Sequence, residues 1–285
     1  MSNLKILFND RNIYVKSRFI PLLLDLFPNS AAAFSLQKLK NTSTNVVRVR
    51  RSSDNLEQDF TATQITDGTI IIFCGVGNGF VTVFYNQSNN NNAFQTSASK
   101  QPLIVSAGNL ILTNGKPSLF FDGIDDELVL QTQITYTDQS IFTVLNLSNN
   151  ITQTATLKVL YSGLVSGNAT SFSFGQVSGA IANERVTIYS NPSVRNYTQN
   201  TQDILARQYI YSWLFELNSL QMGLYQNTQL KGQNSNISQS VYPAGVDSLF
   251  TKFNDKVQEL IIYPSYQNIN RVSIEANINS RYNIY

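Results

Sequence analysis

The sequence contains no histidine, which removes the most common general base, the most common zinc ligand and the usual pH switch of proteins. Any catalysis by this chain would therefore depend on carboxylates. Cysteine is nearly absent as well. Cys74 stands alone inside an apolar run, so we expect it to be a small core residue, not a nucleophile or half of a disulfide.

Charged residues are also scarce: they make up 13% of the chain, and the net charge is +2. Lys and Arg form no long block, so the sequence predicts no broad basic surface and no nucleic-acid partner. No apolar run approaches the roughly 18 residues of a membrane-spanning helix. The N-terminus lacks the apolar segment of a secretory signal, and we expect none.

Aromatic residues are plentiful, with 17 Phe and 14 Tyr, and they supply enough bulky apolar surface for a packed core. From about residue 45 onward, short apolar runs alternate with clusters of Asn, Gly and Ser. Examples are residues 46–50, 70–73, 80–85, 140–147 and 209–217. This spacing predicts an all-β fold, an antiparallel β-sandwich.

Two helices are expected at the ends of this sandwich. Ser30 could cap a short N-terminal helix near residues 31–40. After Pro264, apolar residues fall near helical spacing and predict a closing amphipathic helix. They are Ile269, Val272, Ile274, Ile278 and Tyr282.

The first residues differ in character from the rest, because Pro21 and Pro28 bracket an apolar turn or short helix. Such a segment cannot bury its leucines alone and must pack on the main domain, on a sister subunit or on a larger assembly. We therefore divide the chain into a docking segment, residues 1–29, and a sandwich, residues 30–285. The predicted docking side chains are Phe19, Leu22, Leu23, Leu26 and Phe27.

Three acidic residues cluster at a predicted turn: Asp122, Asp125 and Asp126. Their oxygens could bind Ca²⁺, the one cofactor that the sequence suggests, or they could cap the turn through backbone amides. The segment 116–128 resembles laminin G-like and concanavalin A-like modules. That resemblance implies sugar binding at sandwich loops, sometimes with calcium.

Two further sets of side chains allow two interpretations each. Arg48, Arg50 and Arg51 could bind an anion, or they could pair with the acidic residues that follow them. Trp213 could stack on a sugar ring, or its strand face could belong to the core.

A second resemblance covers more of the chain. Residues 32–40, 48–54, 80–91 and 253–265 are similar to the catalytic module of fungal-type α-L-arabinofuranosidases. Bacteriophage particle proteins carry the same series, and their versions look closer than the enzymes. The similarity spans about residues 30–285 and implies a jelly-roll, concanavalin A-like sandwich.

The catalytic residues of that family are incompletely present. Thr170 stands where the family has its glutamate nucleophile, while Asp247 loosely matches the acid/base carboxylate. Asn86 replaces a family aspartate, and Glu184 and Glu216 are the alternative candidates for a displaced nucleophile. Because retaining glycosidases need two carboxyl groups, we expect the chain not to be an enzyme.

The resemblances together imply a non-catalytic structural protein of a phage particle, a head decoration, fibre or tail component that exposes a lectin-like sandwich for host or glycan adhesion. We expect a homo-oligomer, made in the host cytoplasm, that docks on other virion proteins through residues 1–29. The alternative is an arabinofuranosidase-type glycoside hydrolase acting on surface polysaccharide. The predicted ligand-binding residues are Asp122, Asp125, Asp126, Asn86, Asp247 and Trp213.

Overall fold

The computed structural model describes residues 7–9, 12–14, 21–136, 138–149, 158–165, 168–174, 184–190, 194–200, 205–216, 219, 221–235, 244–251 and 253–285. Within residues 7–14 and 158–200, and at positions 136 and 244–246, the description covers the backbone alone. Docking residue Phe19 lies outside the described residues.

Most of the described chain forms antiparallel strands, which confirms the all-β sandwich. The strands are β1 Leu7–Asn9, β2 Asn12–Tyr14, β3 Ala32–Ser35, β4 Asn45–Arg51, β5 Glu57–Thr61, β6 Gly79–Phe84, β7 Ala93–Phe94, β8 Leu103–Ser106, β9 Asn109–Leu110, β10 Leu112–Thr113, β11 Lys116–Pro117, β12 Leu119–Asp122, β13 Leu128–Tyr136, β14 Gln139–Asn146, β15 Lys158–Val165, β16 Asn168–Phe174, β17 Glu184–Ser190, β18 Val194–Asn200, β19 Gln208–Glu216, β20 Gln221–Gln226, β21 Gln229–Asn234, β22 Ala244–Leu249 and β23 Asn254–Tyr263. The helices are α1 Leu23–Leu26, α2 Ala62–Thr66, α3 Thr69–Cys74 and α4 Arg271–Tyr282, with a 3₁₀ turn at Ala98–Lys100.

The main core lies between two runs of strands. One run follows the order β21, β20, β19, β14, β23, and the other follows β13, β22, β15, β16, β17, β18. Side chains from both runs meet in one apolar cluster, for example Trp213 of β19, Ile141 of β14 and Leu249 of β22. Cys74 belongs to this cluster and is buried, which confirms its expected place in the core.

A second core covers the outer face of β14 and β23. Phe142 and Ile261 on these strands pack with Ile274, Ile278 and Tyr282 of α4. Strand β14 is therefore buried on both faces, which explains why its sequence is apolar almost throughout. The closing helix is confirmed, but exposed Ile269 precedes it and Val272 is 55% exposed, so only three of the five predicted apolar residues lie on its buried face.

The helix predicted near residues 31–40 is wrong. Residues 32–35 instead form β3, which pairs with β23 in the register Ile262↔Ala32 to Glu259↔Ser35. Phe34 enters the main core and Ala33 enters the second core, so both faces of β3 are buried. Strand pairing and burial on two sides outweigh the helix propensity of the alanines.

The apolar run at residues 70–73, interpreted as a strand, is instead part of α3. The run contributes one buried face, since Ile70 and Cys74 are buried while Ile72 is 84% exposed. These two buried residues are four positions apart, the spacing of one helical face. Gly68 precedes the helix with a φ of 95°, a left-handed conformation that favours glycine.

The apolar turn between the two prolines forms α1, and part of it packs on the chain's own sandwich. Leu23 and Leu24 are buried in the second core, and the Leu24 N–H donates to the Leu39 carbonyl at 2.9 Å. The prediction that Leu23 docks on another protein is therefore wrong, because its side chain is already covered. Leu26 is 47% exposed, while Leu22 and Phe27 are half-buried.

Candidate functional site

The loop that follows β6 is held by the side chain of Asn86, which is 8% exposed. Its Oδ1 accepts hydrogen bonds from the N–H groups of Ala33 and Ser88, both at 2.9 Å. Its Nδ2 donates to Asn89 Oδ1 at 2.9 Å and to the Asn91 carbonyl at 3.1 Å. The predicted ligand residue Asn86 thus uses its amide group to shape the loop.

Gln87 fixes the neighbouring segment in the same way. Its Oε1 accepts from the Leu39 N–H at 2.7 Å, and its Nε2 donates to the carbonyls of Ser35 at 3.0 Å and Gln37 at 2.8 Å. Gln87 is buried, so these bonds lie away from competing water. The residues after β3 are therefore held against the loop after β6.

A cavity of about 330 Å³ opens between these two segments. Its lining is Lys40, Thr42, Ser43, Thr44, Asn45, Tyr85, Asn86, Gln87, Ser88, Asn89, Asn90 and Asn92. One wall consists of Asn86, Gln87 and Asn89. The side-chain amides of these residues form hydrogen bonds within the protein. We call this space the first cavity.

Other lining residues of the first cavity carry hydrogen-bonding groups that make no bond within the described part of the protein. Within the part of the chain that the structure describes, the side chains of Thr42, Ser43, Thr44, Asn45 and Asn90 make no hydrogen bond. Hydroxyl and amide groups both donate and accept, so they match the hydroxyl groups of a polar ligand. The cavity therefore combines a rigid wall with side chains, on residues 42–45 and on Asn90, that are free to bind.

Tyr85 adds an aromatic ring to this cavity. Its hydroxyl donates to Asp59 Oδ1 at 2.7 Å, and Arg48 donates to the same carboxylate through Nε at 2.6 Å and Nη2 at 3.0 Å. Burial, with the Asp59 charge beside it, raises the pKa of Tyr85 to about 12, so the phenol is neutral at ordinary pH. The hydrogen bond of the guanidinium of Arg48 lowers the pKa of Asp59.

The arginine cluster is engaged within the fold. Besides the Arg48 pair, Arg51 pairs with Asp54 at 2.7 Å, and Arg50 donates to Gln101 at 2.8 Å. Arg48 and Arg51 therefore form the expected ion pairs, whereas Arg50 binds the neutral amides of Gln101 and Asn55.

A second cavity, of about 320 Å³, adjoins the first and shares Lys40 and Ser88 with it. Leu24, Pro28, Asn29 and Ser30 complete its lining. We call the two cavities together the amide cleft. Sequence analysis did not identify Lys40 or residues 42–45. The one available signal was the unbroken polar run from Asn41 to Asn45 directly before a strand.

The acidic turn is organised by its own backbone. Asp122 Oδ1 accepts from the Ile124 N–H at 2.8 Å, and Asp126 Oδ2 accepts from the Asp122 N–H at 2.9 Å. Asp126 is buried, and desolvation raises its pKa to about 6, while Asp125 is exposed. These bonds match the turn-capping interpretation. Among the described residues, no cluster of acidic, Cys or His side chains forms a metal site.

The residues carried over from the glycosidase resemblance are spread over several strands. Asp247, on β22, is half-buried and accepts a hydrogen bond from Gln133 Nε2 at 3.2 Å. Thr170 lies on β16 and Glu184 begins β17, both described by backbone alone. Glu216, at the end of β19, accepts a hydrogen bond from the Ser219 hydroxyl. No described contact joins Asp247 to Asn86.

Trp213 lies in the main core. Its side chain is 0% exposed and stacks on Phe215, with ring centroids 6.3 Å apart. The prediction of Trp213 as a ligand-binding residue is therefore corrected: the aromatic face of β19 is the inner face of the sandwich, and the ring has no surface to offer a sugar.

Comparison with known proteins yields structural matches only. No protein-family model matches the sequence, and no curated protein matches it. Arabinofuranosidases do match in structure. One, complexed with arabinofuranosyl-α-1,2-xylobiose, aligns with a TM-score of 0.64 and 12% identity over 90% of this chain. Another, of glycoside hydrolase family 54 and soaked with a cyclic sulfate inhibitor, aligns with a TM-score of 0.60 and 13% identity over 90% of this chain.

At this identity the likeness establishes a shared fold. The chain spans 64% of the length of both arabinofuranosidases. The expectation that the chain is not an enzyme is contradicted by these matches, because the proteins that share its sandwich over 90% of its length are glycoside hydrolases. The presence of threonine at position 170, where the resemblance implies a glutamate, was not sufficient to exclude activity.

No helix in the described part of the chain is long and apolar enough to cross a membrane.

Proposed function

We propose that the chain is a saccharide-binding β-sandwich and that the amide cleft is its binding site. The observation that carries the proposal is the set of hydroxyl and amide groups without a bond in the protein, on residues 42–45 and on Asn90, which line the same cavity as the rigid residues Asn86 and Gln87. A rigid wall limits the entropy lost on binding, and the cavity volume lies in the range of small-molecule sites.

A glycan array tests the proposal directly. We expect the wild-type chain to bind a subset of glycans and the double variant Thr44→Ala/Asn45→Ala to lose at least about tenfold in affinity, since two polar contacts are removed. Thr63→Ala is the matched control, because Thr63 is an exposed threonine that lines a different cavity. A blank array, or equal binding by the double variant, would contradict the proposal.

A finer proposal concerns where the sandwich is displayed. We propose a bacteriophage particle protein, a head decoration, fibre or tail component, which reaches other virion proteins through residues 1–29 and forms a homo-oligomer. The proposal rests on the sequence resemblance to phage particle proteins and on the exposure of Leu26 beside half-buried Leu22 and Phe27.

Light scattering tests the oligomer in this finer proposal. We expect the wild-type chain to be multimeric and Leu26→Glu to shift it toward the monomer, because a charge would be buried in the contact. A monomeric wild-type chain at assay concentration would overturn the oligomer, and a particle map without the chain would overturn the display role.

Glycoside hydrolysis is the second candidate function, favoured by the fold shared with the arabinofuranosidases and by half-buried Asp247 on β22. In this candidate Asp247 acts as the acid/base. Release of nitrophenol from an aryl arabinoside should then occur and should be abolished by Asp247→Asn but kept by Asp125→Asn. Release that persists in Asp247→Asn would exclude this role for Asp247.

A further inference from the structure

Lys40 lies where the two parts of the amide cleft meet, since it lines both cavities. Its backbone is held on both sides: the preceding Leu39 N–H donates to Gln87 Oε1 at 2.7 Å, and the Lys40 carbonyl accepts from the Ser43 N–H at 3.1 Å. The half-buried side chain therefore starts from a fixed position in the cleft.

The positive charge of Lys40 is not compensated inside the cleft. None of the residues that line the two cavities is acidic, and Lys40 has no ion pair within the described part of the chain. Two carboxylates contact residues in or beside the cleft, and neither forms an ion pair with Lys40. Asp59 is paired with Arg48 and accepts from Tyr85, whereas Asp25 keeps its charge, since its donors are the neutral N–H groups of Leu22 and Asn41 and the Asn41 side chain.

We propose that the amide cleft selects an acidic saccharide and that Lys40 binds the carboxylate of a uronic acid unit. This inference rests on the proposed saccharide site and names its ligand class. An unpaired ammonium group among neutral amides and hydroxyls offers one charge-assisted contact to the acid, while the neutral groups around it accept and donate to sugar hydroxyls. A carboxylate seated at Lys40 lies between the two cavities, so neighbouring sugar units extend into each.

The experiment compares a short oligogalacturonate with its methyl ester, which has the same sugar hydroxyls and no charge. Isothermal titration measures both against wild-type protein. We expect the acid to bind about fivefold more tightly, the effect of one half-exposed ion pair, and the preference to shrink as salt is added. An oligosaccharide without uronic acid units, to which sulfate groups have been added, serves as the second anionic probe.

Three variants locate the effect. Lys40→Met keeps the apolar stem without the charge, and we expect it to bind acid and ester equally. Lys40→Arg should keep the preference for the acid. Lys38→Met is the matched control, because Lys38 is an exposed lysine outside the amide cleft, and it should behave as wild type. Thermal melting verifies that each variant is folded.

The outcomes separate this inference from the proposed function. Equal binding of acid and ester by wild type, or a preference that survives in Lys40→Met, would overturn the role of Lys40 and leave a neutral saccharide site standing. Tighter binding of the sulfated probe than of the uronate would overturn the assignment to a carboxylate. Failure of every saccharide, charged or neutral, to bind would overturn the proposed function as well.

Discussion

Asn86 uses both ends of its amide group: two backbone N–H groups donate to its oxygen, while its nitrogen donates to two oxygen acceptors. An aspartate has no donor to place against those two acceptors. The asparagine is therefore required by the loop, whatever ligand the neighbouring cavity takes.

We expect Asn86→Asp to lower the free energy of unfolding by about 1–3 kcal/mol, because a buried carboxylate would face two unpaired oxygens. Urea denaturation followed by fluorescence measures this loss. Asn90→Asp is the control, since Asn90 is exposed in the same loop, and we expect it to stay within about 0.5 kcal/mol of wild type. Equal losses of stability in the two variants would show that the hydrogen bonds donated by the Asn86 side chain do not stabilise the loop.

Asp126 is the second residue whose environment has a measurable consequence. Desolvation raises its pKa from 3.8 to about 6, so the folded protein keeps this proton at a pH where the unfolded chain has released it. The unfolding free energy should therefore fall as pH rises from about 4 to about 6, by about 1–2 kcal/mol from this group.

Denaturation at a series of pH values between these limits tests the role of Asp126. We expect Asp126→Asn to remove this component of the pH dependence, whereas Asp125→Asn should keep most of it, because burial is the larger cause and Asp125 is exposed. An unchanged pH profile in Asp126→Asn would contradict this explanation.

Residue identity alone predicted these roles only in part. The turn-capping use of Asp122 follows from local chemistry, because an aspartate next to glycine commonly accepts backbone N–H groups of its own turn. The structural role of Asn86 could not be predicted, since its partner Ala33 is more than fifty residues away in sequence. The core position of Trp213 depended on which strand face is the inner one.

At the scale of elements, α4 is fixed to the sandwich by a buried ion pair as well as by apolar contacts. Arg281 of α4 pairs with Glu259 of β23, whose side chain is 0% exposed and also accepts from the hydroxyls of Ser35 at 2.9 Å and Tyr282 at 3.1 Å. A buried carboxylate of this kind depends on its cation.

We expect Arg281→Met to lower the unfolding free energy by about 3 kcal/mol, because it leaves the Glu259 charge buried without a cation. The double variant Arg281→Met/Glu259→Gln should recover part of the loss, since it removes the unpaired charge. Thermal and urea denaturation of the two variants measure the difference. If the loss in the double variant equals the sum of the losses from Arg281→Met and Glu259→Gln measured separately, the two side chains are not coupled.

Elements with a strong local signal were predictable, and those set by long-range pairing were not. The spacing of Ile274, Ile278 and Tyr282 is helical on its own, and α4 forms there. Residues 31–36 have a composition typical of a helix. Residues 32–35 nevertheless form strand β3, because they pair with β23. The partner strand lies more than two hundred residues along the chain, and no local pattern reveals it.

At the scale of the whole molecule, the sandwich includes α1, so the boundary predicted at residue 29 does not coincide with the packing. We expect Leu23→Ala to cost about 2–4 kcal/mol by opening a cavity in the second core. Leu56→Ala is the control, because Leu56 is 56% exposed and lies outside residues 1–29, and it should change stability by under about 0.5 kcal/mol. If both variants lose equally little stability in urea denaturation, α1 does not contribute to the core and belongs to a separate segment.

The overall class of the molecule was predictable from strand spacing and polar turns, whereas the amide cleft was not. The side chains that are free to bind come from residues 42–45, and the rigid wall comes from residues 86–89. Only the path of the chain through β3, β4 and β6 brings these two polar stretches to the same cavity.

The most direct test of the account is amide chemical-shift mapping on isotope-labelled protein during titration with a saccharide that the array identifies. We predict that the side-chain amides of Asn45 and Asn90 shift strongly, while those of Asn86 and Gln87, already committed to the fold, keep their positions. Shifts that cluster elsewhere on the sandwich, with Asn45 and Asn90 unmoved, would contradict the amide cleft as the binding site.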